Sequence, residues 1–274
     1  MVGAWRRCLK TCLLRGRHLS ICGASALLAV LAGCSANPAH IEDWVVHQNS
    51  ALSDVYSVGS IPVDGWTIVA MRKHKGPARR IYIEGDGHAY ISRDTPSGDP
   101  TPVNPVGLKL ALADGGESVE YMARPCQWER GPECADRTLW TEGRFTQAVV
   151  DRYVKLVAQE SAGGPVELVG YSGGAWVALQ VAARLDNVTR VVTVAGNLMP
   201  DWVNAQHKVT RIEVAAYPDG RLKNLPVVAY VGKGDTVVGR GVVEAYRTAV
   251  GAENIRVIEM EATHADGWSG LKIP

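Results

Sequence analysis

Val166-Glu167-Leu168-Val169-Gly170-Tyr171-Ser172-Gly173-Gly174, running into a small, apolar stretch at 175–185, is the segment that decides how this chain folds. An apolar run that stops at a glycine-bracketed serine and restarts as a nearly all-apolar helical pattern reads as a buried strand turning sharply into a buried helix. G-x-S-x-G in that setting thrusts a serine hydroxyl out at the end of a parallel sheet. The flanking glycines leave room for a tight turn and for close packing of the helix on its neighbours. Such a pattern also arises by chance, so the rest of the chain has to supply the sheet.

Apolar runs at 66–72, 80–84, 119–123, 166–169, 190–195, 227–231 and 255–260 alternate with helical patterns. That alternation predicts an α/β fold, a mostly parallel central sheet with helices on both faces. Asn104-Pro105 reads as an N-cap and first-turn proline opening a helix that ends at Asp114-Gly115-Gly116. Residues 142–161 carry Phe145, Val149, Tyr153 and Leu156 on one helical face, and 241–250 supplies a last helix. The charged, glycine-containing link 73–77 predicts a hairpin between 66–72 and 80–84, with the first strands antiparallel. The thirty or so residues between Ala195 and Leu225 are too few for a large lid.

Of the 274 residues, the first 33 read as a leader. Arg6, Arg7, Lys10, Arg15 and Arg17 precede an apolar stretch at 19–31 that is short for a bilayer span. The leader ends Leu31-Ala32-Gly33-Cys34, which resembles the lipobox of bacterial lipoproteins; that resemblance implies cleavage before Cys34 and lipidation of its sulfur. An ordinary signal peptide or a membrane-anchoring helix is the alternative. Residues 34–60 are then a lipidated tether, becoming structured near Trp44 or Val55, and 61–274 one domain in the cell envelope. Ser35 resembles the outer-membrane sorting class. Without the five leader cations the chain has 24 Lys and Arg against 28 Asp and Glu, a net charge of −4. No basic stripe remains, which argues against a nucleic-acid partner.

Cys126 and Cys134 are the two cysteines left over, and in an exported protein such a pair most often forms a disulfide; free thiols or a metal site are the alternatives. No Cys/His cluster has metal-ligand spacing, so no metal is expected.

The strand order, the sharp serine turn, and the later acid and histidine resemble the α/β-hydrolase superfamily over nearly the whole chain beyond the leader. The stretches Tyr82-Ile83-Glu84-Gly85-Asp86-Gly87 and Arg124-Pro125-Cys126-Gln127 resemble small bacterial lipoprotein hydrolases of that superfamily. Ser172 is the candidate nucleophile, and needs a base because a serine hydroxyl is barely ionised near neutrality. His264, in the loop just past the last strand, is the candidate base, whereas His40, His47, His74, His88 and His207 lie in the tether, turns or polar connections. The resemblance implies that Asp235, after the penultimate strand, orients the imidazole, with Asp201 as runner-up. Asp266 is too near His264 in sequence for that role.

The oxyanion formed on attack calls for the backbone N–H of Gly173, at the start of a helix. Residue-by-residue carry-over puts a second donor N–H at Asp86, with Gly85 next. Glu84 and Asp86 bring carboxylates where the superfamily often has neutral or basic groups; an Asp86 side chain aimed into the pocket would select substrates by charge. The turn-rich loop around Arg93, Asp94 and Asp99 either borders the site or is solvated, and Tyr171 and Trp176 either border it or belong to the core. Together these readings imply a cofactor-free serine hydrolase acting on small acyl substrates, esters before amides, at a membrane surface. A thioesterase or peptidase, or a non-catalytic binder on the same fold, would carry the same elements.

Overall fold

A computed structural model describes residues 41–48, 55–73, 75–209, 212–218 and 220–274. The leader, Cys34, His40 and His74 lie outside the described residues. The described residues all fall within one compact unit. It begins with helix α1 (Ile41–Gln48), whose Ile41, Trp44 and Val45 are buried, so folded structure starts within the segment read as a tether.

Among the described residues, eight strands make the main sheet: β1 (Ser57–Val63), β2 (Trp66–Arg72), β3 (Arg80–Ile83), β6 (Val119–Met122), β7 (Val166–Tyr171), β8 (Val188–Val194), β9 (Val227–Gly232) and β10 (Ile255–Met260). The intervening β4 (Tyr90–Ser92) and β5 (Thr95–Pro96) form a separate small hairpin. The order across the sheet is β1-β2-β6-β3-β7-β8-β9-β10, parallel from β6 to β10 and antiparallel at β1/β2 and β2/β6. Helices α2 (Val106–Ala113), α3 (Gln147–Ser161), α4 (Gly173–Ala182), α5 (Pro200–His207), α6 (Arg221–Asn224) and α7 (Gly241–Val250) complete the fold.

Side chains of a strand alternate between the faces, and here both faces are buried. Leu168 of β7 and Ile81 and Ile83 of β3 pack with Val149, Tyr153 and Trp176 of α3 and α4. The alternate residues Val169, Tyr171 and Tyr82 pack with Leu108 of α2 and Trp44 of α1 on the other side. This two-faced burial is why the central strands read as continuous apolar runs.

The expected hairpin between residues 66–72 and 80–84 does not form. Strand β6 lies between β2 and β3, pairing antiparallel with one and parallel with the other. A strand as buried as β2 needs a partner on each edge, and it finds β1 and β6. The real hairpin is β1/β2, closed by Asp64 and Gly65 with φ of 44° and 80°, the left-handed pair that a two-residue turn demands. Helix α2 starts at Val106 with Pro105 as its cap; the Asn104 side chain instead donates to the carbonyl of Ala265. Helix α3 starts at Gln147, because Phe145 is held in a bridge to Val214.

Leu168 sits fully buried in the middle of the central strand. Leu168→Ala should therefore destabilise the fold by about 2–5 kcal/mol in urea unfolding; a loss below about 1 kcal/mol would contradict this packing.

Candidate active site

Three loops at the carboxyl ends of the parallel strands build the site. The first is the turn from β7 into α4, where Ser172 takes φ 47° and ψ −121°, a conformation rare for a residue with a side chain. Its glycines are steric necessities. A β-carbon on Gly170 would lie 2.3 Å from the Cα of Ala175, and one on Gly174 would lie 2.3 Å from the carbonyl oxygen of Ile83. Neither neighbour is a flexible side chain, so a larger residue at either position must push backbone apart.

The second loop follows β10 and carries His264. Its Nε2 lies 3.0 Å from Ser172 Oγ and its Nδ1 lies 2.9 Å from Asp235 Oδ2. Tyr171 Oη and Trp268 Nε1 both donate to the His264 carbonyl at 3.1 Å, fixing the loop's backbone from two sides. Strand β9 comes close to the same loop, since a β-carbon at Gly232 would meet the Ala262 carbonyl at 2.6 Å.

The third loop follows β9 and ends in Asp235, whose side chain is almost fully buried. Its Oδ1 accepts the N–H groups of Val237 and Val238 at 2.8 and 3.0 Å. Burial alone would raise this carboxyl's pKa, but the hydrogen bonds from His264, Val238 and Val237 prevail and hold it below the usual carboxylate range. An ionised carboxylate only accepts hydrogen bonds. The Nδ1 facing it therefore carries the proton, which in a neutral imidazole leaves Nε2 as an acceptor for the serine hydroxyl. The runner-up, Asp201, is exposed in the first turn of α5, so the structure brings together Ser172, His264 and Asp235.

The loop after β3 lies against the serine turn: a β-carbon on Gly85 would sit 2.9 Å from the Tyr171 ring and 3.1 Å from Ser172 Cβ. Its two acids behave differently from the sequence expectation. Glu84 is only 1% exposed, and it accepts the N–H groups of Gly85, Gly107 and Leu108 at 2.9–3.1 Å. Two of those donors open α2, so Glu84 caps that helix from a distance, with Tyr121 Oη also close at 3.3 Å. Burial raises its pKa and these hydrogen bonds offset part of the rise.

The N–H of Gly85, the other candidate oxyanion donor, is bonded to Glu84 Oε1 at 2.9 Å. The Asp86 side chain does not stand free for substrate. Arg124 Nη1 meets one of its oxygens at 3.0 Å and Arg144 Nε meets the other at 2.9 Å. The same carboxylate lies against Gly173, where a β-carbon would come within 2.0 Å of Asp86 Oδ1. Arg144 escaped the sequence reading because nothing near it in sequence marks a site.

The Cys126–Cys134 disulfide is present. Trp176 belongs to the core, its ring edge-on to Phe145 at 5.1 Å. Arg93, on the hairpin β4/β5, donates to the carbonyls of His207 and Lys208 at the end of α5. Asp266 makes a local turn with Thr263. Among the described residues, no group of three or more His, Cys, Asp or Glu is placed to hold a metal ion.

No family model matches this chain, and no curated protein matches it in sequence. Solved structures do. An esterase of Pyrococcus furiosus aligns at TM-score 0.52 and 16% identity, covering 79% of this chain and 85% of that one. A second crystal form of that esterase gives TM-score 0.52 at 14% identity, with 80% and 88% covered. The esterase domain of a Rhodothermus marinus protein aligns at TM-score 0.51 and 12% identity, with 78% and 91% covered. At these identities the likeness speaks for the fold alone: this chain shares the α/β fold of those esterases.

The depressed pKa of Asp235 sets a sign for its contribution to stability. That contribution is present above the ordinary carboxylate pKa and is lost as pH falls through the lowered folded-state value. Asp235→Asn should therefore be less stable than the parent near neutrality, by about 1–3 kcal/mol. The gap should close below about pH 4 in denaturant titrations; a gap constant across that range would contradict the assignment.

Proposed function

We propose that this chain is a serine hydrolase that cleaves carboxylic esters through an acyl-enzyme on Ser172. The observation that carries the proposal is the continuous hydrogen-bonded line from Ser172 Oγ through His264 to Asp235, built on a strained serine turn. Ser172 Oγ attacks the carbonyl carbon as His264 Nε2 takes its proton. The carbonyl oxygen becomes an anion held by the N–H of Gly173 and by that of Asp86. Asp235 stabilises the imidazolium through Nδ1–H. His264 then gives the proton to the leaving alkoxide, which departs as an alcohol. Water, deprotonated by the same imidazole, attacks the acyl group, and the collapse of that second intermediate returns the proton to Ser172.

Esters, rather than amides, are the proposed substrates, in keeping with the esterases whose fold the chain shares. Among the described residues the connection from β8 to β9 holds α5, the short α6 and the bridge at Val214, with no large lid. Small acyl groups, or acyl groups at an interface, suit such an open arrangement. We further propose that residues 1–33 are a lipoprotein leader and that Cys34 carries the lipid that holds the enzyme at a membrane of the cell envelope.

A fluorophosphonate probe should label the protein in one-to-one stoichiometry, and Ser172→Ala should abolish labelling. Failure of the parent to label would overturn the proposed chemistry. Asp235→Asn should lower kcat by roughly 100- to 10,000-fold, while Asp201→Asn should leave it within about twofold. Equal losses in the two variants would contradict Asp235 as the residue that orients His264. For the anchor, Cys34→Ala should abolish incorporation of labelled palmitate in a bacterial host; persistent labelling would contradict lipidation at that residue.

A further inference from the structure

We propose that Gln127 and the arginine pair Arg124 and Arg144 are positioning residues for the second oxyanion donor, and that the Cys126–Cys134 disulfide holds the Arg124–Gln127 segment in place. The inference rests on the serine hydrolase proposal and concerns how its transition state is held.

One peptide plane links Gln127 to that donor. The Gly85 carbonyl and the Asp86 N–H belong to the same trans unit, so they point in opposite directions. Gln127 Nε2 donates to the Gly85 oxygen at 3.0 Å. Fixing that oxygen on one side fixes the Asp86 N–H on the other. Among the described residues no acceptor takes this N–H, in contrast to the N–H of Gly85, which is bonded to Glu84. A second restraint acts beyond the plane: Arg124 and Arg144 grip both oxygens of the Asp86 carboxylate, so the residue cannot turn about its own backbone without breaking two charged contacts. Arg124 also donates to the backbone carbonyl of Arg144, tying one arm of the clamp to the chain that carries the other.

Gln127 is committed at both ends. Its Oε1 accepts the N–H of Arg124 at 2.9 Å, and its side chain is buried. The backbone on either side is strained, with φ of 66° at Cys126 and 70° at Trp128. Left-handed conformations at such residues persist only where the surroundings impose them. Three contacts do so here: the bond from Cys126 to Cys134, the Trp128 N–H on Thr101 Oγ1 at 2.8 Å, and Trp128 Nε1 on Tyr121 Oη at 3.1 Å. The disulfide is the covalent member of this set. Arg124 and Gln127 thus act on the loop after β3 directly, and Trp128 through Tyr121, whose hydroxyl also meets Glu84.

A merely structural role and a positioning role differ in one measurable respect. Sulfur is a poorer hydrogen-bond acceptor than oxygen, so a thionoester gains less from an oxyanion hole than its ester. The experiment compares a p-nitrophenyl ester and its thiono counterpart on the full chain. Its variants are Gln127→Met, Arg144→Lys and the double substitution Cys126→Ala with Cys134→Ala. All three should keep one-to-one phosphonate labelling and should lower kcat for the ester by about 10- to 100-fold with KM little changed. The ester-to-thionoester rate ratio should fall with kcat. Arg144→Lys, at the more exposed end of the clamp, supplies the reading should either of the others prove insoluble. A ratio equal to that of the parent in the soluble variants overturns the inference, whether or not kcat falls. If the parent itself fails to label, it is the serine hydrolase proposal that fails.

Discussion

Two backbones meet at the serine turn closely enough that only glycine fits between them, and the rest of the site depends on that contact. Gly174 at the head of α4 presses on the carbonyls of Ile83 and Glu84 at the end of β3. Gly85, just beyond, presses on Tyr171 and Ser172. The contact brings the first N–H groups of α4 and the loop after β3 to one place, with the serine hydroxyl beside them. It exists because β3 and β7 are parallel neighbours whose carboxyl ends open on the same edge of the sheet.

The neighbourhood then sorts its charges by environment. Glu84 and Asp235 are both buried carboxyls near the serine turn, and their pKa values move in opposite directions. For Glu84 burial dominates and raises it; for Asp235 the hydrogen bonds, led by that from His264, outweigh burial and lower it. Glu84 spends its acceptors on the entrance of α2 and on the loop it belongs to, a structural duty. Asp235 spends one oxygen on its own turn and offers the other to the imidazole. Asp86, between two guanidiniums, is a third case, held by charge at the surface of the serine turn.

Much of this was legible in the sequence. The run at 66–72 became β2 with those bounds, because a strand buried along most of its length leaves a nearly uninterrupted apolar stretch. The run at 255–260 became the edge strand β10 with the same bounds, with Arg256 and Glu259 exposed along it. Ser172 and His264 were read from the glycine-bracketed turn and from the loop past the last strand, and Asp235 from the superfamily resemblance; the structure places His264 within hydrogen-bonding distance of the other two. The β1 strand was not, since Gly59, Ser60 and Pro62 break its pattern and only Ile61 and Val63 are buried; the Asp64-Gly65 pair was the signal that could have found it. Arg144 and the long-range cap by Glu84 were out of reach, because both act on partners 58 and 23 residues away that no local pattern connects. Pairing across the sheet, which put β6 between β2 and β3, likewise depends on burial that only the fold reveals.

The central claim is that the hydroxyl of Ser172 becomes acylated. Mixing the protein with p-nitrophenyl acetate, quenching in acid within the first turnover and mapping the peptides by mass spectrometry tests it most directly. The expected result is one acetyl group on the peptide containing Ser172, formed with a burst of p-nitrophenol equal to the enzyme present. Ester turnover with no burst and no acyl group on that peptide, or with the acyl group on another residue, would contradict it.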